Sequence, residues 1–140
     1  MAMTYQEELT LHEVSSRLAI GDLTASYGRA YDKGDLETWV GNFVQTGVFE
    51  LPDGRQLTGH KELTEFFEGA PHDMVHTTSD AVVRVDGVHA TQVVQVVVYR
   101  SGEGEGADPV IRFVGTYSDE LVYERGAWYF VRRVVTRDLL

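Results

Sequence analysis

The chain predicts an α+β domain in which helices come first and then cover one face of a long-stranded sheet. Three observations lead there. Apolar residues near the N-terminus recur at three- and four-residue intervals, the period of a buried helix face. From about Met74 onward the chain is a series of β-branched and aromatic runs. The links between those runs are short and carry glycine, so consecutive strands are expected to pair antiparallel.

The N-terminal helix is predicted from Leu11 to about Tyr31, with Leu11, Val14, Leu18, Ile20, Leu23, Tyr27, Ala30 and Tyr31 as its apolar positions. Thr10 is its candidate N-cap, Glu13 holds the capping-box position and Gly34 stops it. Asp35 can cap a second, shorter helix, LETWVGNF, whose Leu36, Trp39, Val40 and Phe43 form one apolar side. GVFELPDGRQLTG reads as a short hairpin turning at Asp53-Gly54, and KELTEFFEG as a third helix closed by Gly69. The strands follow as MVHTTSDAVVRV, ATQVVQVVVYR, DPVIRFVGTYSDELVY and AWYFVRRVV. Their dividers are Asp86-Gly87, the glycine-rich GEGEGAD and Arg125-Gly126.

Alternation along the third of these strands puts Ile111, Phe113, Gly115, Tyr117, Asp119, Leu121 and Tyr123 on one mostly apolar face. Asp119 is the exception there and needs a donor partner. In the last strand Trp128, Phe130 and Arg132 alternate with Tyr129, Val131, Arg133 and Val135. Each face carries an arginine, so alternation does not choose between Arg132 and Arg133. A strongly curved sheet of this kind leaves a pocket under its helices.

The length of 140 residues and a hydrophobic content of 43% fit one domain, residues 1–140, with a real core. With 22 acidic against 12 basic residues the net charge is -10, which opposes phosphate backbones and anionic membrane surfaces. No nucleic-acid or membrane partner is expected. The chain has no cysteine for a disulfide or a thiolate metal site. MAMTYQEELTLHE lacks the basic start and apolar run of a signal peptide, so a cytoplasmic location is the expectation.

With this order of elements, LAIGDLTASYGRAYDKGDLETWVGNFVQTGVFELPDG, HDMVHTTSDAVVRVDGVHAT and FVGTYSDELVYERGAWYFVRRVV resemble the SnoaL-like group of the nuclear transport factor 2-like superfamily. The resemblance spans nearly the whole chain. It implies a cystatin-like fold: a cone-shaped, curved mixed sheet wrapped by the N-terminal helices, with a deep apolar cavity at the open end. YDKGD resembles the segment in which scytalone dehydratase and the dehydrochlorinase carry a catalytic aspartate, here Asp32, and PHDMVHTTSD the segment with their catalytic histidine, here His76. In those enzymes the aspartate orients and charges an imidazole that removes a proton, work suited to a ring that titrates near neutrality.

The resemblance further implies Tyr27 as a donor to a substrate oxygen and Arg133 as a cation for developing negative charge. Trp39, Phe43, Phe49, Phe67, Tyr117 and Asp119 are the implied substrate-binding wall. Where scytalone dehydratase has a second histidine, ATQVVQVVVYR offers valines with Gln92 and Gln95.

The expected function is a cofactor-free lyase or isomerase using Asp-His acid-base chemistry on a hydrophobic cyclic substrate of polyketide, steroid or terpenoid type. Its alternatives are a non-catalytic hydrophobic-ligand-binding protein and a small subunit of a ring-hydroxylating dioxygenase-like complex. No metal is expected: His12, His60, His72 and His89 read as surface or loop residues, and on a strand His72 and His76 would stand about 13 Å apart. QVVQVVVYR and VIRFVGTY carry apolar residues on both faces, which predicts a homodimer or homotrimer.

Overall fold

A computed structural model of the chain describes residues 8–139. In chain order they form α1 (Leu11–Lys33), α2 (Leu36–Gly41), β1 (Phe43–Glu50), β2 (Gln56–Thr58), α3 (Gly59–Gly69), β3 (Met74–Asp86), β4 (His89–Arg100), β5 (Val110–Glu124) and β6 (Ala127–Leu139). The six strands make one sheet in the order β2-β1-β6-β5-β4-β3. Strands β3 to β6 form the antiparallel meander that the short links predict. The sheet is mixed because β1 lies parallel to β6.

Helix α1 starts at a complete capping box: Thr10 Oγ1 accepts from the Glu13 amide, and the Glu13 carboxylate accepts from the Thr10 amide. It ends at Gly34, whose φ of 71° is left-handed, with the Asp35 amide turned back onto the Ala30 carbonyl at 2.8 Å. The face it buries differs from the expected one. Leu11, Val14 and Leu18 are exposed, whereas Ser16, Ile20, Thr24, Tyr27, Gly28, Ala30 and Tyr31 are buried. Counting apolar positions misses a buried face that includes two hydroxyls, one of which, on Thr24, accepts a hydrogen bond from Gln92.

Helix α2 is shorter than expected and stops at Gly41, so that Phe43 opens β1. Helix α3 includes Gly69 and is closed by Ala70 in extended backbone rather than by a left-handed glycine. The expected turn holds at Gly54, whose φ is 90° between β1 and β2.

Strand β6 resolves what alternation leaves open. Glu120 pairs with Arg132 but Leu121 pairs with Phe130, so Val131 is an extra residue, a bulge that shifts the phase of the strand. Trp128 and Phe130 are buried before it, Arg133 and Val135 after it. Arg132 points the other way and reaches Glu50 at 2.6 Å.

Between α1 and the inner sheet face, the rings of Tyr27, Trp39, Phe43, Phe49, Tyr117 and Phe130 pack with Tyr27 at the centre, at centroid distances from 5.6 to 6.2 Å from it. Edge and tilted contacts of this kind fill the interior densely. A cleft of about 730 Å³ lies elsewhere, lined by residues such as Val44, His89, Glu120 and Arg125. Aromatic side chains occupy the space beneath α1, where the resemblance implies a deep cavity.

Candidate active site

The last turn of α1 and the first residues of β3 meet at Asp32 and His76. Asp32 Oδ1 lies 2.6 Å from His76 Nδ1, and Asp32 Oδ2 accepts the His76 backbone amide at 2.8 Å. A carboxylate only accepts, so Nδ1 carries a ring proton, and in the neutral ring the lone pair falls on Nε2. Both side chains are nearly enclosed, His76 at 11% and Asp32 at 15% exposure. Helix and strand lie close here: a Cβ added at Gly28 would stand 3.7 Å from His76 Cβ, an ordinary van der Waals contact. The Tyr31 ring meets the imidazole edge-on at 5.1 Å.

Tyr31 and His72 are the residues that sequence reasoning missed. Tyr31 counted only as a core aromatic, yet it adjoins Asp32 in sequence and His76 in space. Burial, with the Asp32 charge second, pushes its phenol up to about 12. His72 lies in the loop before β3 but is half-buried, and its two ring nitrogens lie 2.7 Å from the Tyr31 carbonyl and 2.8 Å from the Phe67 carbonyl. It thus ties the ends of α1 and α3 together beside the pair. The available signal was its position four residues before His76, next to a helix end.

A second polar cluster lies deeper. Arg133 and Asp119, both with fully buried side chains, make a two-pronged ion pair through Nε at 2.7 Å and Nη2 at 2.8 Å. Gln92 Nε2 joins Asp119 to Thr24 at 2.9 Å each. The guanidinium carbon sits 3.9 Å from the Tyr117 ring centroid, 4.1 Å from Phe130 and 4.3 Å from Tyr27. These ring faces surround Nη1, which has no hydrogen-bond partner among the described residues. Burial opposes the Arg133 charge, but the adjacent Asp119 more than offsets it and holds the guanidinium above its ordinary range. Burial also drives the Tyr27 phenol well above its usual value and the Tyr117 phenol up to about 12, so both hydroxyls stay protonated.

The expected site residues thus fall into two groups. Asp32 and His76 touch directly. Tyr27, Arg133, Tyr117 and Asp119 form the deeper cluster, and Trp39 links the groups, with its ring 5.6 Å from Tyr27 and 5.8 Å from Tyr31. Phe43, Phe49 and Phe67 each pack against Trp39. Gln92, one of the two glutamines of β4, is committed to Thr24 and Asp119.

A curved, unclosed mixed sheet covered by helices is the nuclear transport factor 2-like architecture, also called cystatin-like. The chain belongs to the SnoaL-like domain family, whose model matches residues 12–134. Among solved structures it is similar to Rv3472, a protein of unknown function from Mycobacterium tuberculosis, at 30% identity over 92% of this chain and 75% of that one, with a TM-score of 0.84. It is also similar to a nuclear transport factor 2-like protein with a cystatin-like fold from Novosphingobium aromaticivorans, at 24% identity over 94% and 91% of the two chains, TM-score 0.83. A candidate scytalone dehydratase from the same organism aligns at 21% identity over 94% and 89%, TM-score 0.82. A search of curated proteins gave no match. Among the described residues no helix is long and apolar enough to cross a membrane.

Proposed function

We propose that the protein is a cofactor-free lyase or isomerase in which His76 is the general base and Asp32 its orienting carboxylate. The observation that carries this reading is the double use of Asp32, one oxygen on the ring Nδ1 and the other on the backbone amide of the same histidine. Such a grip fixes the tautomer and leaves Nε2 as the basic atom. Nε2 would take a proton from a carbon beside a carbonyl, and the C–H electron pair would pass into the carbonyl as an enolate. The enolate would then either expel a leaving group from the next carbon or be reprotonated elsewhere by the imidazolium.

The substrate class that suits the aromatic wall is a hydrophobic cyclic compound of polyketide, steroid or terpenoid type. Trp39, Phe43, Phe49, Phe67 and Tyr117 would pack its rings once the wall opens. Tyr27, kept neutral by burial, would donate to a substrate oxygen, and Arg133 with Asp119 would set the potential around it. Assembly as a homodimer or homotrimer through the outer sheet face belongs to the same proposal: Val75, Val82, Val93 and Ile111 are exposed on the strands β3 to β5.

The test is a screen of cyclic β-hydroxy ketones for elimination and of β,γ-enones for isomerisation. A reacting compound should lose at least about a hundredfold in turnover with His76→Ala, the contribution typical of a positioned base. Unchanged turnover in that variant removes the dyad, and saturable binding without any reaction moves the protein to the class of ligand carriers.

A further inference from the structure

His72 faces more hydrogen-bond acceptors than a neutral imidazole can serve. Its Nδ1 lies 2.7 Å from the Tyr31 carbonyl oxygen and its Nε2 2.8 Å from the Phe67 carbonyl oxygen. A carbonyl oxygen only accepts, and a neutral ring carries one N–H and one lone pair. Both bonds form together only in the imidazolium, which has an N–H on each nitrogen. In the neutral ring, a nitrogen lone pair would face carbonyl lone pairs at one of the two positions.

Both carbonyls belong to helix ends. Tyr31 lies in the last turn of α1 and Phe67 in the last turn of α3, where carbonyl oxygens run out of partners within their own helix. Each otherwise takes only a long closing bond, from the Gly34 amide at 3.2 Å and from the Ala70 amide at 3.3 Å. The negative ends of two helix dipoles thus meet on one half-buried ring, a place that favours a cation. The Phe67 and Tyr31 rings pack against it at centroid distances of 4.2 and 4.8 Å.

The titratable groups around His72 have other commitments. From α1 come Tyr31, whose phenol burial keeps protonated, and Asp32, which holds His76. From β3 comes His76, which shares the Tyr31 ring with His72. Helix α3 presents the apolar ring of Phe67, and Asp73, next in the chain, reaches Arg100 at 3.4 Å. Lys33 and Glu68, the other charged residues at the two helix ends, are exposed.

We propose that His72 is a positioning residue of the dyad that works as an imidazolium, using both N–H groups to hold the end of α1, and with it Asp32, against α3 and the start of β3. The effect on turnover rests on the dyad reading, whereas the double protonation of His72 rests on its own geometry. Two histidines four residues apart then have opposite requirements: His76 must be neutral to take a proton, and His72 charged to keep both helix ends. As pH falls through the titration of His76 the base is lost, and as pH rises through that of His72 one strap is released. The product of the two fractions is bell-shaped whichever ring titrates first.

Nitrogen and proton NMR of the histidine rings tests it without any substrate. At neutral pH the wild-type His72 ring should carry a proton on each nitrogen. As pH rises and His72 loses one of them, the His76 Nδ1 proton held by Asp32 should broaden, and in His72→Gln that step should vanish. A neutral His72 at neutral pH, or a His76 signal indifferent to the His72 titration, overturns the proposal. On a responsive substrate the wild-type rate should drop about tenfold on an alkaline limb below the onset of phenol ionisation at about pH 10, the order expected when the support of a base shifts by a fraction of an ångström. His72→Gln should keep the acid limb set by His76 and lose the alkaline one; a purely structural His72 would lower the rate equally at every pH, which also overturns the proposal. If that variant misfolds, His72→Asn serves in the same assays, and the wild-type spectra decide the protonation by themselves. Failure of the dyad would appear as absent turnover with His72 still doubly protonated, and failure of the strap as a neutral His72 whatever the turnover.

Discussion

Asp32 binds His76 twice, through the ring Nδ1 at 2.6 Å and through the backbone amide at 2.8 Å. The second bond fixes where the histidine enters β3, and the first fixes how its ring is turned. One carboxylate therefore couples the end of α1 to both the position and the tautomer of the proposed base.

Replacing Asp32 with Asn should separate those effects. The amide can still pair with one partner but no longer accepts from both, and it offers no charge to an imidazolium. Turnover on a responsive substrate should fall by about a hundredfold or more while ligand affinity changes little. Nitrogen NMR of the His76 ring should show the Nδ1–H form losing its dominance; an unchanged tautomer would contradict the assignment.

Breaking the buried ion pair should cost far more stability than breaking any surface pair. Asp119→Asn or Arg133→Met leaves one member unsatisfied among aromatic rings, a loss of about 3–5 kcal/mol. Urea unfolding measures it. A change below about 1 kcal/mol would mean that the pair is not isolated from water as its burial indicates.

High pH should unfold the protein through its buried phenols. The Tyr31 and Tyr117 hydroxyls are raised to about 12 in the folded chain, against about 10 when unfolded, and Tyr27 is raised as well. The folded state holds protons that the unfolded state releases, so stability is whole below about pH 10 and declines up to about pH 12. Absorbance of tyrosinate and loss of the circular dichroism signal should therefore rise together in that window. Stepwise tyrosinate formation on an intact fold would contradict it.

The left-handed cap of α1 should matter to the site as well as to the helix. Gly34→Ala places a side chain at φ 71°, a loss of about 1 kcal/mol in thermal or urea unfolding. Because Asp32 is two residues earlier, turnover should drop too. Stability equal to wild type would show that the cap relaxes without strain.

How much of this was legible in the sequence depends on how local each signal was. The capping box at Thr10 and Glu13, the stop at Gly34 and the strand boundaries after Met74 are written in neighbouring residues, and the fold follows them closely. The meeting of Asp32 and His76 needed the family resemblance, since 44 positions separate them. The buried face of α1 was misread because Ser16 and Thr24 are polar residues with interior places, and no apolar count finds those. The choice between Arg132 and Arg133 depended on a single unpaired residue, Val131, that periodicity alone does not reveal. The filled interior is a matter of three-dimensional packing: the same aromatic residues read equally well as the lining of an open cavity and as its contents.

The bulge at Val131 has a further consequence for how the sheet finds its pairing. In a regular ladder a slip of two residues keeps every side chain on its own side, and only the contacts shift. In β6 the stretch with Trp128 and Phe130 and the stretch with Arg133 and Val135 are out of step by one, whereas Leu121 and Glu120 on β5 follow each other without a break. The extra residue is what lets both stretches turn inward against a regular neighbour, and moving it along β6 would turn the residues in between inside out. It works as a phase marker that decides which side chains of β6 enter the core.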